Sequence, residues 1–132
     1  MSRITPEQYL EAERVAEFKS EYYGGQIYVM AGETIPHAQI TANFTGALFQ
    51  ALRVGTCFVL SSDARLRVSA SRLYTYPDPM VVCGDAKYAD VRRDTVLNPT
   101  LIVEVLSKST EAQDRGLSSR NIGSWILFAS TR

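Results

Sequence analysis

Hydrophobic positions along the chain follow two periods. Ile40, Phe44, Leu48 and Leu52 recur every four residues, with Ala47 and Ala51 beside them. That spacing lays an apolar stripe along one side of a helix and predicts α-structure from Pro36 to Arg53, with Gly55 as the stop. A first helix is predicted from Thr5 to about Glu17. Thr5 can cap it, Pro6 suits the first helical position, and Gln8 completes a capping box. Between the helices, two aromatic and β-branched runs, Glu21–Tyr23 and Gln26–Met30, flank Gly24–Gly25 and predict a hairpin. Cys57–Leu60 reads as a short apolar strand. Ala64–Val68 alternates, with Leu66 and Val68 on one face and Arg65 and Arg67 on the other. Tyr76–Cys83 and Leu101–Leu106 read as two more strands, and the polar stretch 84–99 between them as a surface excursion. After Leu106, Ser109 or Thr110 can cap a further helix that begins at Glu111.

One position breaks the pattern. Glu104 lies inside Leu-Ile-Val-Glu-Val-Leu, a run that otherwise reads as a buried strand. Alternation puts it on one face with Ile102 and Leu106. A carboxylate left unpaired there would cost several kcal/mol, so it requires an arginine or a metal ion. Arg65, Arg67 and Arg93 are the arginine candidates. Asp78, at the head of the preceding apolar segment, would supply a second metal carboxylate if the two strands are neighbours.

The totals narrow the classes. The chain has 132 residues, ordinary composition and a formal net charge of zero. It suits one domain, and it does not grip nucleic acid by bulk charge alone. With two cysteines far apart and one histidine, a zinc site is not expected. Cys57 and Cys83 read as buried free thiols. Met1–Pro6 has no apolar core of a leader, and no run reaches membrane-span length, so a cytoplasmic protein is expected.

The motifs also carry a resemblance. Lys19-Ser20-Glu21-Tyr22 precedes the hairpin, and His37 opens the long helix. Ser62-Asp63-Ala64-Arg65, Tyr74-Thr75-Tyr76-Pro77-Asp78, Asn98 to Ser107, Ser109-Thr110 and Asp114-Arg115-Gly116 follow. Together, with Asp78 and Glu104 on successive strands, they resemble the PD-(D/E)XK nuclease fold and, more narrowly, the Uma-type family of restriction endonucleases. The resemblance covers residues 5 to about 117. It implies an α/β, restriction-endonuclease-like fold with a central mixed sheet flanked by helices. It implies metal-dependent cleavage of DNA by a homodimer. Asp78 and Glu104 would hold Mg²⁺ (or Mn²⁺), with Glu21 as an accessory acid. His37 reads as an ordinary helix start, and Arg65 and Arg67 as candidates to reach phosphates.

The chain departs from this pattern at the lysine. The simple Glu-x-Lys form would place it at 106, which is Leu106. The family's pattern of a lysine two residues after Asp-Arg-Gly falls on Ser118. Lys108, four residues after Glu104, is a stand-in. The expected division is therefore an incomplete endonuclease-like domain over 1–117 and an aberrant tail over 118–132, C-terminally truncated relative to the family. A single-base deletion at codon 118, turning codons for Lys-Phe-Ala-Gln into those for Ser118 to Asn121, would account for the tail. Nuclease activity is accordingly expected to be absent or impaired, and the alternative is a non-catalytic remnant or interaction module that keeps the fold.

Overall fold

A computed structural model of the chain describes residues 3–69, 72–106 and 125–130. Two helices and nine strands follow in the order α1 (Pro6–Glu13), β1 (Ser20–Tyr23), β2 (Gln26–Val29), α2 (Ile35–Ala51), β3 (Cys57–Leu60), β4 (Arg65–Val68), β5 (Leu73–Thr75), β6 (Met80–Cys83), β7 (Thr95–Val96), β8 (Leu101–Leu106) and β9 (Trp125–Ser130). The fold is α/β, as expected, but its strands divide between two sheets. One has the order β2-β1-β5-β4-β7 and the other β3-β6-β8-β9. Neighbours are antiparallel except for β4 with β7 and β8 with β9. No described helix is long and apolar enough to cross a membrane.

The sheets share one core. Leu66, Val68 and Val96 from the first pack with Met80, Val82 and Ile102 from the second. Alternation sends Val103 and Val105 to the other face of β8, where they are also fully buried. Helix α2 packs against β3 and β8. A second cluster joins α1 to the first sheet: Tyr9 stacks on Tyr22 with ring centroids 5.2 Å apart, and both meet Tyr74. The Tyr9 hydroxyl donates to the Ser20 carbonyl at 2.6 Å, and the Tyr22 hydroxyl to the Ile4 carbonyl.

Helix α1 begins where the sequence placed it. Thr5 accepts from the Gln8 amide, and the Gln8 side chain accepts in return from the Thr5 amide. It ends at Glu13, short of the expected Glu17. Glu13 and Arg14 are drawn into tertiary contacts at that point. The Glu13 carboxylate accepts from the Ser20 amide at 2.9 Å and from the Tyr76 hydroxyl at 2.6 Å. Arg14 reaches Asp90 at 3.0 Å and Asp94 at 2.8 Å.

Three local expectations change. Arg65 is buried and does not face phosphate. It donates to Thr95 Oγ1 at 3.1 Å, lies 3.2 Å from Asp94, and stacks toward the Tyr76 ring. The polar 84–99 stretch is no simple excursion, because β7 inserts Thr95 and Val96 beside β4 and both are buried. The cysteines are not free thiols. Antiparallel pairing of β3 with β6 sets Cys57 directly opposite Cys83, and the two form a disulfide. The last described strand, Trp125–Ser130, pairs in parallel with all of β8.

The Arg65–Asp94–Arg14 group fixes the 87–98 segment to the sheet. Hydrogen bonding from Arg14, with Arg65 nearby, holds the Asp94 carboxyl down at about 2, against an ordinary 3.8. Burial pushes the Tyr9 and Tyr76 hydroxyls above the usual phenol range.

Two stability measurements follow. The depressed Asp94 value means its ionised form stabilises the fold fully above the unfolded value near 3.8 and loses that contribution as pH falls toward 2. Unfolding free energies of wild type and Asp94→Asn from urea titration should therefore differ by about 2 kcal/mol at neutral pH and converge at about pH 2. A difference that is constant with pH would refute the ionic account. Ile102→Ala, which empties the joint between the sheets, should cost about 2–5 kcal/mol by denaturant titration.

Candidate functional site

Asp78 sits where the chain passes from the first sheet to the second. It is flanked by Pro77 and Pro79, both fully buried. Proline has no amide hydrogen to give a ladder, so β6 begins only at Met80, and Asp78 precedes the strand it was expected to occupy. The pairing of the segment with β8 continues nonetheless, because the Val103 amide donates to the Pro79 carbonyl at 2.9 Å. The register pairs Met80 with Ile102. Continued two residues back, it sets Asp78 opposite Glu104. The two strands are neighbours, as the metal reading of the sequence required.

Both acids are buried, Asp78 at 6% exposure and Glu104 at 4%. Asp78 Oδ2 accepts from the Val105 amide at 3.3 Å, so the carboxylate reaches over to the backbone beside Glu104. Taking two carboxylates out of water at adjacent positions costs several kcal/mol each unless cations or donors surround them.

A histidine completes the group. Thr34 caps α2 by accepting from the His37 amide at 3.3 Å, and Pro36 pre-sets the first turn. This aims the His37 side chain at Asp78. Its Nε2 lies 3.4 Å from Asp78 Oδ2 and its Nδ1 2.9 Å from Glu33 Oε2. The ring is 5% exposed. Ligand-type atoms of Glu33, His37 and Asp78 all lie within 4.8 Å of one another. Sequence reasoning treated His37 as a helix start and passed over Glu33. The available signal was their position around the Thr34 cap, with Glu33 just before it and His37 in the first turn after it.

Glu21 enters differently. It lies half-buried on β1 and accepts from the Thr75 hydroxyl. Thr75 is three residues before Asp78 in the chain, so Glu21 grips the segment that delivers Asp78. Lys19, just before β1, pairs with Asp63 at 3.1 Å and lies 5.4 Å from the Tyr76 ring centroid. Arg67 is half-buried and reaches Ser69. Leu106, at the simple lysine position, is a half-buried end of β8. Lys108 and Ser118 lie outside the described residues.

Carboxylate oxygens and an imidazole nitrogen converging at a buried point form a donor set that fits a divalent cation. The restriction-endonuclease-like class generally uses such ions.

Comparison with known proteins agrees with this architecture. A family model described as "Uma2: Putative restriction endonuclease" matches residues 6–122. Two uncharacterized proteins of Synechocystis sp. (strain ATCC 27184 / PCC 6803 / Kazusa) are similar: slr1290, 37% identical over 116 residues, and sll1609, 36% identical over 112. These matches take in 86% and 85% of this chain but 59% and 63% of the relatives, so the chain spans about 60% of the length of the curated relatives it matches. Among solved structures, it is similar to one described as a putative nuclease belonging to DUF820 from Anabaena variabilis ATCC 29413. The TM-score is 0.71 at 18% identity, over 95% of this chain and 74% of that one. At that identity the likeness shows the fold alone.

Proposed function

This chain belongs to the Uma2 restriction-endonuclease family, and from that premise we propose that it is a metal-dependent DNA endonuclease with impaired turnover. The observation that carries the proposal is the placement of Asp78 opposite Glu104, with Asp78 tied to the Val105 amide. Such a pair supplies oxygen ligands to Mg²⁺ or Mn²⁺. A cation bound there would polarise a phosphodiester and lower the pKa of a water poised to attack phosphorus.

The chain's own residues have distinct tasks in this reading. Asp78 and Glu104 hold the cation. The Val105 amide orients Asp78. Glu21, through Thr75, steadies the strand end from which Asp78 projects and acts as the accessory acid. Duplex cleavage requires two such sites, which favours a homodimer acting on DNA in the cytoplasm. The impairment comes from the lysine. With Leu106 and Ser118 at the positions where the family's patterns place it, the developing negative charge loses a stabilising donor, a loss worth about 10²–10³ in rate.

The same substitutions favour a second reading, a non-catalytic module that keeps the fold of the 1–117 region and pairs with intact relatives. Nicking of supercoiled plasmid in Mg²⁺ and in Mn²⁺ separates the two. The endonuclease reading expects slow nicking that falls at least about 10²-fold in Glu104→Gln and in Asp78→Asn, with circular dichroism showing both variants folded. Cleavage that survives either substitution would remove the metal pair. Absence of cleavage by the wild type in both ions would leave the non-catalytic module.

A further inference from the structure

The imidazole beside Asp78 has no task in the endonuclease proposal, yet it is nine-tenths buried and faces a carboxylate from each ring nitrogen. His37 Nδ1 lies 2.9 Å from Glu33 Oε2, close enough for a hydrogen bond, but makes none. A buried polar nitrogen in that position is costly as a mere helix-start residue. The arrangement suits coordination better. Two donors each about 2.1 Å from one ion and at right angles to each other sit about 3 Å apart, which matches the Nδ1 to Oε2 separation. The Thr34 cap and Pro36 fix the backbone of the first turn, so the ring is presented without further ordering. One ligand atom from each of Glu33, His37 and Asp78 lies within 4.8 Å of the other two, close enough for all three to meet one ion.

We propose that Glu33, His37 and Asp78 form a divalent-cation site in which an imidazole nitrogen of His37 is a direct ligand, and that it selects a first-row transition ion such as Mn²⁺ over Mg²⁺ or Ca²⁺. Purely oxygen sets suit Mg²⁺ and Ca²⁺, and a nitrogen donor moves the preference toward transition ions. Asp78 is shared with the Asp78–Glu104 pair, so this inference rests on the metal-dependent reading of that pair and specifies its ion and its third and fourth ligands. Glu33 closes the outer side, because it is the exposed member of the three.

The chain contains one histidine, which makes a spectroscopic test specific. Untagged protein would be loaded with Mn²⁺ alone, and electron spin-echo envelope modulation would be recorded on unlabelled and [¹⁵N]histidine-labelled samples. The expected result is ¹⁴N modulation in the first that changes to the ¹⁵N pattern in the second. Calorimetric titration should show Mn²⁺ binding more tightly than Mg²⁺, with His37→Gln and Glu33→Gln each weakening Mn²⁺ by at least about 10-fold. The isotope comparison needs no variant, so it stands if His37→Gln fails to fold. Tight Mn²⁺ binding with no histidine nitrogen coupling would overturn the inference and leave the Asp78–Glu104 reading intact. No Mn²⁺ or Mg²⁺ binding to the wild type would overturn both.

Discussion

The arrangement depends on keeping two acids out of water on neighbouring strands. Asp78, just ahead of β6, lies opposite Glu104 on β8, with fully buried valines on either side of Glu104. Each carboxylate gives up hydration worth several kcal/mol, and like charges at that spacing raise the cost. The fold offsets part of it with donors supplied by fixed backbone. The Val105 amide is available to Asp78 because Pro77 and Pro79 delay the start of β6 and leave the acid turned toward β8. His37 is available because a capped helix start points at the same place. An apolar pair at these positions would be the simpler solution for stability, and under the proposed function the burial of both acids serves the cation.

This fold also contains a buried charge whose role is structural, and the contrast is instructive. Arg65 is almost as buried as Glu104, but it is matched by Asp94, bonded to Thr95 and laid against Tyr76. Asp94 is matched again by Arg14, and Glu13 beside it accepts from Tyr76. Opposite charges and neutral hydroxyls alternate through that network, and it ties α1, β4 and the 87–98 segment together. It also anchors Tyr76, two residues before Asp78. The Asp78 group is built from carboxylates and an imidazole, a composition of metal ligands. One network fixes the strand end, and the other presents donors from it.

The sequence made legible whatever was local. The α1 capping box, the Gly24–Gly25 hairpin, the four-residue stripe of α2 and the strand at Leu101–Leu106 all appear within a residue or two of where their patterns put them. The end of α1 was not local: Glu13 and Arg14 are claimed by Ser20, Tyr76, Asp90 and Asp94. Strands β5 and β7 have three and two residues, too few for a period of two to declare itself. Arg65 looked solvent-facing because alternation treats charge as exposed, whereas β7 arrives from thirty residues later to cover it. Cys57 and Cys83 looked like separate thiols because their bonding depends on the register of β3 against β6. The acid pair was legible because a charge inside an apolar run is an anomaly on the page. His37 and Glu33 were not, because a histidine at a helix start is ordinary until the strand it faces is known.

The lysine question has a physical counterpart in where Leu106 lies. On a regular strand, Glu104 and the residue two beyond it share a face, so a lysine at 106 would stand beside the metal carboxylates. Leu106 instead ends β8 with an apolar, half-buried side chain, paired in register with Ser130 of β9. No positive charge comes to the site from that strand. In the proposed site the carboxylates and the imidazole would still gather a cation without it, because coordination requires donors and a fixed geometry. Hydrolysis also requires charge stabilisation where the phosphate develops its negative charge. Under the proposed function, binding and turnover would therefore rest on different residues, the first on the Asp78 group and the second on a donor that β8 does not supply.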